Sequence, residues 1–162
     1  MLFWCVNSIQ FLVMPVPSVW GPVLWPILHW LSVRAGQGKS LVKCRADEKR
    51  EIGWLFTHLE TIVPCVECKK HIEDYRKANP LPLEARDFEA WVWTFHEAVN
   101  QRLGKGAGPS LEEAREKWRN IQGIQEYSRY IKVLGESVLK GSVQGQALRE
   151  WQRHLWLLNA CY

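Results

Sequence analysis

No Asp, Glu, Lys or Arg precedes Arg34 in this chain of 162 residues. A secretory signal wants a basic start and a small-residue cleavage site, and neither is evident in that uncharged stretch. A membrane span needs about 20 consecutive apolar residues. Here Asn7, Ser8 and Gln10 interrupt, and Pro15 and Pro17 end any helix after residue 14. Residues 1–17 are therefore expected to pack on their own domain or on a partner, with membrane contact through residues 1–14 left open. Alternating apolar and polar runs of useful length are absent, which argues against sheet. No repeat recurs at a fixed period. Strong charge bias is lacking as well. The balance of 21 basic and 17 acidic residues, +4 net, is too mild and too evenly mixed for a nucleic-acid binder. Cysteine is sparse: five residues make no disulfide scaffold, and the odd number leaves at least one thiol outside any pairing within the monomer.

What remains is an ordinary globular composition, 47% hydrophobic and 23% charged, with an unusual count of ten tryptophans. The length fits one domain with an appendage. Helical periodicity runs almost throughout. Gly21 and Pro22 open a first helix ending near Val33, and Asp47 is a plausible N-cap for a second, which Pro64 stops. A third runs from Cys65 to about Ala78, and a fourth over about 85–103, with Phe88, Trp91, Val92, Phe95, Val99 and Leu103 on one stripe. Ser110 and Glu113 form a capping box for a fifth. Two amphipathic segments follow, about 124–139 and 144–159. The expected fold is all-α: a four-helix bundle with a short fifth helix over residues 18–122, and a helical C-terminal extension over 123–162 that packs or builds a subunit interface.

Pro64, Cys65, Val66, Glu67 and Cys68 carry the chemistry. A C-x-x-C at a helix start brings two sulfurs within disulfide range, and the positive helix end favours a thiolate. Lys69, Lys70 and His71 push the same way. A redox dithiol is the leading reading of the residues. Zinc held by Cys65, Cys68 and His71 is the alternative, although no second ligand pair accompanies them. A thioredoxin-like site lacks its βαβ context. Two core cysteines that happen to sit three apart are the plainest reading.

The fourth helix adds His96 and Asn100, four apart on one face, among Trp91, Trp93 and Phe95, with Lys105 just beyond its end. Trp25 and His29 repeat that spacing on the first helix. Such a groove suits a planar, phosphate-bearing cofactor that could relieve a dithiol of two electrons.

Trp20, Gly21, Pro22, Trp25, Leu28 and His29, then Pro64, Cys65 and Cys68, then Phe95, His96, Val99, Asn100, Leu103, Gly104 and Lys105 stand in one order and register. Together they resemble the Erv/ALR family of FAD-linked sulfhydryl oxidases, most closely the short forms of large DNA viruses, over about residues 18–122. The resemblance implies a helical bundle binding FAD and a thiol oxidase that forms disulfides in client proteins, electrons passing to FAD and on to dioxygen as hydrogen peroxide. It makes Cys68 the flavin-proximal cysteine and Cys65 the one that exchanges with clients. Gly21, Trp25, His29, Trp93, His96, Val99, Asn100, Leu103, Lys105 and Trp118 would hold the flavin, with no metal. It further implies a homodimer, client dithiols from a thioredoxin-like or C-x-x-C partner, and a place in host cytoplasm or virion. The second C-x-x-C that cellular members use as a shuttle has no counterpart; Cys5, Cys44 and Cys161 are solitary.

Overall fold

The computed structural model describes residues 16–37 and 45–162. Expectations for residues 1–14, Cys5 and Cys44 lie outside the described residues. The fold is all-α, with no strand among the described residues. In chain order come α1 (Pro17–Arg34), α2 (Arg45–Thr57), a 3-10 turn (Leu59–Ile62), α3 (Val66–Ala78) and a second 3-10 turn (Ala85–Asp87). Then follow α4 (Phe88–Arg102), α5 (Leu111–Trp118), α6 (Gly123–Val133), α7 (Gly135–Leu139) and α8 (Gly145–Asn159). No described helix is long and apolar enough to cross a membrane.

The first helix starts earlier than Gly21. Pro17 occupies its first turn, where a missing N–H costs nothing, and Val19 donates its N–H to the Val16 carbonyl at 2.8 Å. Pro22 and Pro26 then fall inside the helix. Each costs about 3 kcal/mol against alanine in a helix interior. Burial outweighs that cost: Trp20, Leu24, Ile27, Leu28, Trp30, Leu31 and Val33 are all in the core, at about 1.5–3 kcal/mol for each large apolar side chain. Helix α1 is buried on most sides because α6 packs along it and α4 and α5 cover it elsewhere.

The second helix corrects two expectations. It begins at Arg45, so Asp47 sits in its first turn beside Glu48 rather than at the N-cap, still where the dipole favours acids. It also ends at Thr57, well before Pro64. The last ladder bond is made at the helix end, and the carbonyls after it are met from elsewhere, which is what a buried helix end requires. Trp54 accepts from the His58 N–H at 3.0 Å and Leu55 from the Trp151 indole at 3.1 Å. Phe56 accepts from Arg76 at 2.8 Å, and Thr57 from the same guanidinium. Glu60 holds that guanidinium at 2.7 Å.

The C-terminal helices pack tightly on this bundle. At the start of α6 Gly123 lies against the Trp30 ring, leaving no room for a Cβ. Helix α8 runs against α2 and the first 3-10 turn. Tyr127 donates to the Leu148 carbonyl at 2.7 Å and Tyr130 to the Ile62 carbonyl at 2.8 Å, all buried. Two buried carboxylates of α2 reach the same region: Glu48 accepts from the Tyr162 hydroxyl at 2.6 Å, and Glu51 pairs with His154. The segment expected as one helix over 124–139 is divided at Leu134, a buried residue, followed by the weak helix former Gly135.

Candidate active site

Breaking α2 at Thr57 lets the chain run through the 3-10 turn to an extended Val63 and the buried Pro64. The next residue, Cys65, is the N-cap of α3, and its Sγ accepts the Cys68 backbone N–H at 3.2 Å. Cys65 and Cys68 form a disulfide across a Cα separation of 5.1 Å. The two sulfurs face different surroundings. Cys68 is 8% exposed and lines a cavity of about 360 Å³ between α1, α3 and α4, closed by Trp118 at the end of α5. Cys65 is half-buried and is no part of that wall.

The cavity gathers most of the expected cofactor residues. Gly21 and Trp25 come from α1, His96, Val99 and Asn100 from α4, and Leu103 and Lys105 from the turn after it. That turn is built for the purpose. Gly104, at φ +65°, ends α4; its N–H bonds the Gln101 carbonyl at 3.0 Å, and the Lys105 N–H bonds the Asn100 carbonyl at 2.9 Å. This pairing folds the chain back on the helix end, so Lys105 returns to the cavity beside Asn100. Farther along, Glu97 receives the Gly108 N–H at 3.1 Å and the Asn100 amide at 3.2 Å, bracing the loop and the asparagine together.

His29 lies behind the wall rather than in it, 2% exposed. It pairs with His96, Nε2 to Nδ1, at 2.8 Å. Four rings form a ladder: Trp25 stacks on His96 at 3.8 Å, and His29 on Trp118 at 3.9 Å. One histidine donates and the other accepts, so the accepting ring is neutral, and burial holds the pair in the uncharged form. Burial, then the charges of His96 and Lys117, takes His29 down to about 3. His96 falls to about 4 through burial, with Glu97 opposing and Lys105 and Lys117 assisting.

Trp93 stands apart from the cavity wall. Its indole donates to the Pro109 carbonyl at 2.8 Å and fastens the loop before α5. Arg102, which the sequence places with Lys105 near the end of α4 as a candidate for phosphates, is in the wall, and three wall residues were not among the expected flavin contacts: Trp20, Phe95 and Lys117. Adjacency was the available signal, because Phe95 and Lys117 each precede an expected site residue. His71 also lines the cavity, pushed down by burial and by Arg102. It faces Phe95 at 6.2 Å. With Cys65 and Cys68 bonded to each other, no group of three His, Cys, Asp or Glu among the described residues is arranged to hold a metal. The zinc arrangement of Cys65, Cys68 and His71 is thereby replaced by a disulfide.

The remaining singleton within the described residues, Cys161, is buried, its thiol 3.6 Å from the Leu157 carbonyl.

A flat, polar-edged cofactor carrying phosphates fits these surroundings. Aromatic faces and aliphatic side chains line most of the cavity, while Arg102, Lys105 and Lys117 bring positive charge to it. The buried Trp20 indole nitrogen has no hydrogen-bond partner among the described residues, and a buried donor is expected to have one.

The sequence profile of the Erv1 / Alr family matches residues 22–119. The chain belongs to the Erv1 / Alr family. Among its relatives is the FAD-linked sulfhydryl oxidase of African swine fever virus, 35% identical over 88 residues, covering 53% of this chain and 69% of the viral protein. The FAD-linked sulfhydryl oxidase ERV1 of Arabidopsis thaliana is 27% identical over 107 residues, 65% of this chain and 53% of the plant protein. Sulfhydryl oxidase 2 of the same plant is 34% identical over 83 residues, 51% of this chain but 15% of its own length. No solved structure matches the chain. Family membership rests on the part that holds the disulfide and most of the cavity wall; α6 to α8 lie beyond the matched residues.

Proposed function

We propose that this Erv1 / Alr protein is an FAD-dependent thiol oxidase that forms disulfide bonds in client proteins through Cys65 and Cys68. The observation that carries this reading is the asymmetry of one disulfide, with Cys68 in the wall of an aromatic cavity and Cys65 outside it. A client thiolate attacks Cys65 Sγ, the Cys65–Cys68 bond breaks, and Cys68 leaves as a thiolate inside the cavity wall. The client's second thiolate then attacks its own sulfur in the mixed disulfide and expels Cys65. Cys65 is suited to leave, since the Cys68 N–H and the helix start stabilise its thiolate. The client has lost two electrons and two protons, and the protein holds a dithiol.

Trp25, Trp118 and His96, the last backed by His29, would hold the cofactor's rings, Asn100 and the Trp20 indole its polar edges, and Arg102, Lys105 and Lys117 its phosphates. The chemistry FAD supplies, when bound, is acceptance of an electron pair and its return to dioxygen as hydrogen peroxide. The viral relatives support a setting in infected-cell cytoplasm or in a virion. Exposed Trp156 and Leu157 on α8 support self-association as a homodimer.

Purified protein is expected to be yellow, with flavin absorbance that survives desalting, and to release one peroxide per disulfide formed from dithiothreitol. Colourless protein that makes no peroxide after loading with FAD would sink the reading.

A further inference from the structure

We propose that His71 is the proton partner of Cys68. Its imidazole is neutral while Cys65 and Cys68 are bonded, and it takes up one of the client's two protons when Cys68 is released as a thiolate. The proposal rests on the thiol-oxidase reading above and deepens it, assigning to a named side chain a proton that the exchange sets free.

Cys68 needs such a partner. It is 8% exposed, and burial in an apolar wall disfavours a thiolate unless a cation or a donor stands beside it. Its own backbone N–H is spent on Cys65 Sγ. His71 lies three residues on along α3, and the two side chains line the same cavity. Residues so spaced on a helix hold their Cβ atoms roughly 5–6 Å apart. Phe95 of α4 fixes the imidazole on that side, with ring centroids 6.2 Å apart and planes 22° from parallel. Neither ring nitrogen of His71 has a hydrogen-bond partner among the described residues, so the ring can accept a proton without breaking a bond. His29 and His96, by contrast, are bonded to each other.

The surrounding charges keep that ring neutral until a thiolate forms. Burial, then Arg102 of α4, lower its titration, and Asp74 of its own helix opposes them. Asp74 is itself taken by Lys70 at 2.5 Å. Glu60, on the 3-10 turn packed against α3, is taken by Arg76 at 2.7 Å. Lys69 donates to the Ser142 carbonyl at 2.9 Å. Helix α1 brings no charged side chain to the cavity, and Lys105 and Lys117 add positive charge to its wall. A negative charge on Cys68, one turn away, reverses that balance and draws a proton to His71.

The exchange then balances. A client dithiol gives up two protons as its sulfurs bond to each other, and the Cys65–Cys68 bond breaks as it takes the two electrons. One proton goes to the Cys65 thiolate and the other to His71, leaving an imidazolium beside the Cys68 thiolate. When the disulfide re-forms, the electron pair and both protons pass to FAD, the acceptor named above, and His71 is neutral again.

The test uses full-length, flavin-loaded protein with isotope-labelled histidine. NMR follows the His71 imidazole across pH, identified by its loss in His71→Asn, in Cys65→Ser and in Cys65→Ser/Cys68→Ser. With the Cys68 thiol present, His71 is expected to titrate about one pH unit higher than in the double variant. Turnover of dithiothreitol by His71→Asn should fall about tenfold below the parent at pH 6.5 and come within twofold of it at pH 9, where thiolates form unaided. Identical titration of His71 in the two variants would overturn the proposal. An equal loss of turnover at both pH values, as a merely structural histidine gives, would overturn it too. Both results leave the oxidase reading standing; a parent that makes no peroxide from dithiothreitol overturns that reading, and the role of His71 with it.

Discussion

His29 and His96 show how much chemistry two side chains can carry when both are kept neutral. Their hydrogen bond needs one donor and one acceptor, and each ring is stacked on a tryptophan. Both titrate far below the ordinary 6.5, at about 3 and about 4, chiefly through burial. An unfolded chain therefore binds more protons than the folded one between those values and 6.5. Stability is fully present above pH 6.5 and falls as pH drops toward 4. For His29 the slope approaches about 1.4 kcal/mol per pH unit, and it is smaller for the more exposed His96. Carboxylates with lowered values, such as Glu113, act only below about 4.5, so the window from 6.5 to 5 reports mainly on histidines. The urea midpoint should drop between pH 7 and pH 5, and His29→Asn should flatten that drop. A parent midpoint unchanged over this range would contradict the neutral pair.

Among elements, the 3-10 turn Leu59–Ile62 decides where the disulfide sits. The apolar periodicity of 52–63 reads as one helix, and the sequence contains no glycine or proline at Thr57 to say otherwise. The break comes from partners distant in the chain: Arg76 and Trp151 take carbonyls that an uninterrupted helix would have used. Local pattern cannot reveal such a break. By contrast, the capping box of Ser110 and Glu113 and the start of a helix at Cys65 were legible, because each is settled within three residues. Tyr130 secures the far end of the turn. Its phenol, pushed well above its ordinary value by burial, stays protonated and donates to Ile62. Tyr130→Phe leaves that buried carbonyl without its partner and should cost about 1–3 kcal/mol in urea denaturation. A loss below the error of the measurement would show that the bond carries no weight.

At the scale of the whole molecule, the all-α class, the bundle and most of the cavity wall were open to sequence reading. Periodicity gave the helices, and three motifs in register gave the wall. Three things were not. Trp93 shares a helix with His96 yet points to the loop at Pro109, and periodicity does not separate a wall position from its neighbour. Lys69 reads as a charge beside the thiols but is bound to the Ser142 carbonyl. The C-terminal helices read as an extension that packs or builds an interface, but nothing in their pattern told that their buried hydrogen bonds would reach Leu55 and Ile62, on the approach to the disulfide. The molecule thus joins a sulfur outside the cavity to one in its wall through a single bond. Oxygen consumption with dithiothreitol, in flavin-loaded parent and in Cys68→Ser, tests that arrangement most directly. The parent should consume oxygen steadily, while Cys68→Ser should retain its flavin and lose at least a hundredfold in turnover. Full turnover by Cys68→Ser would contradict the account.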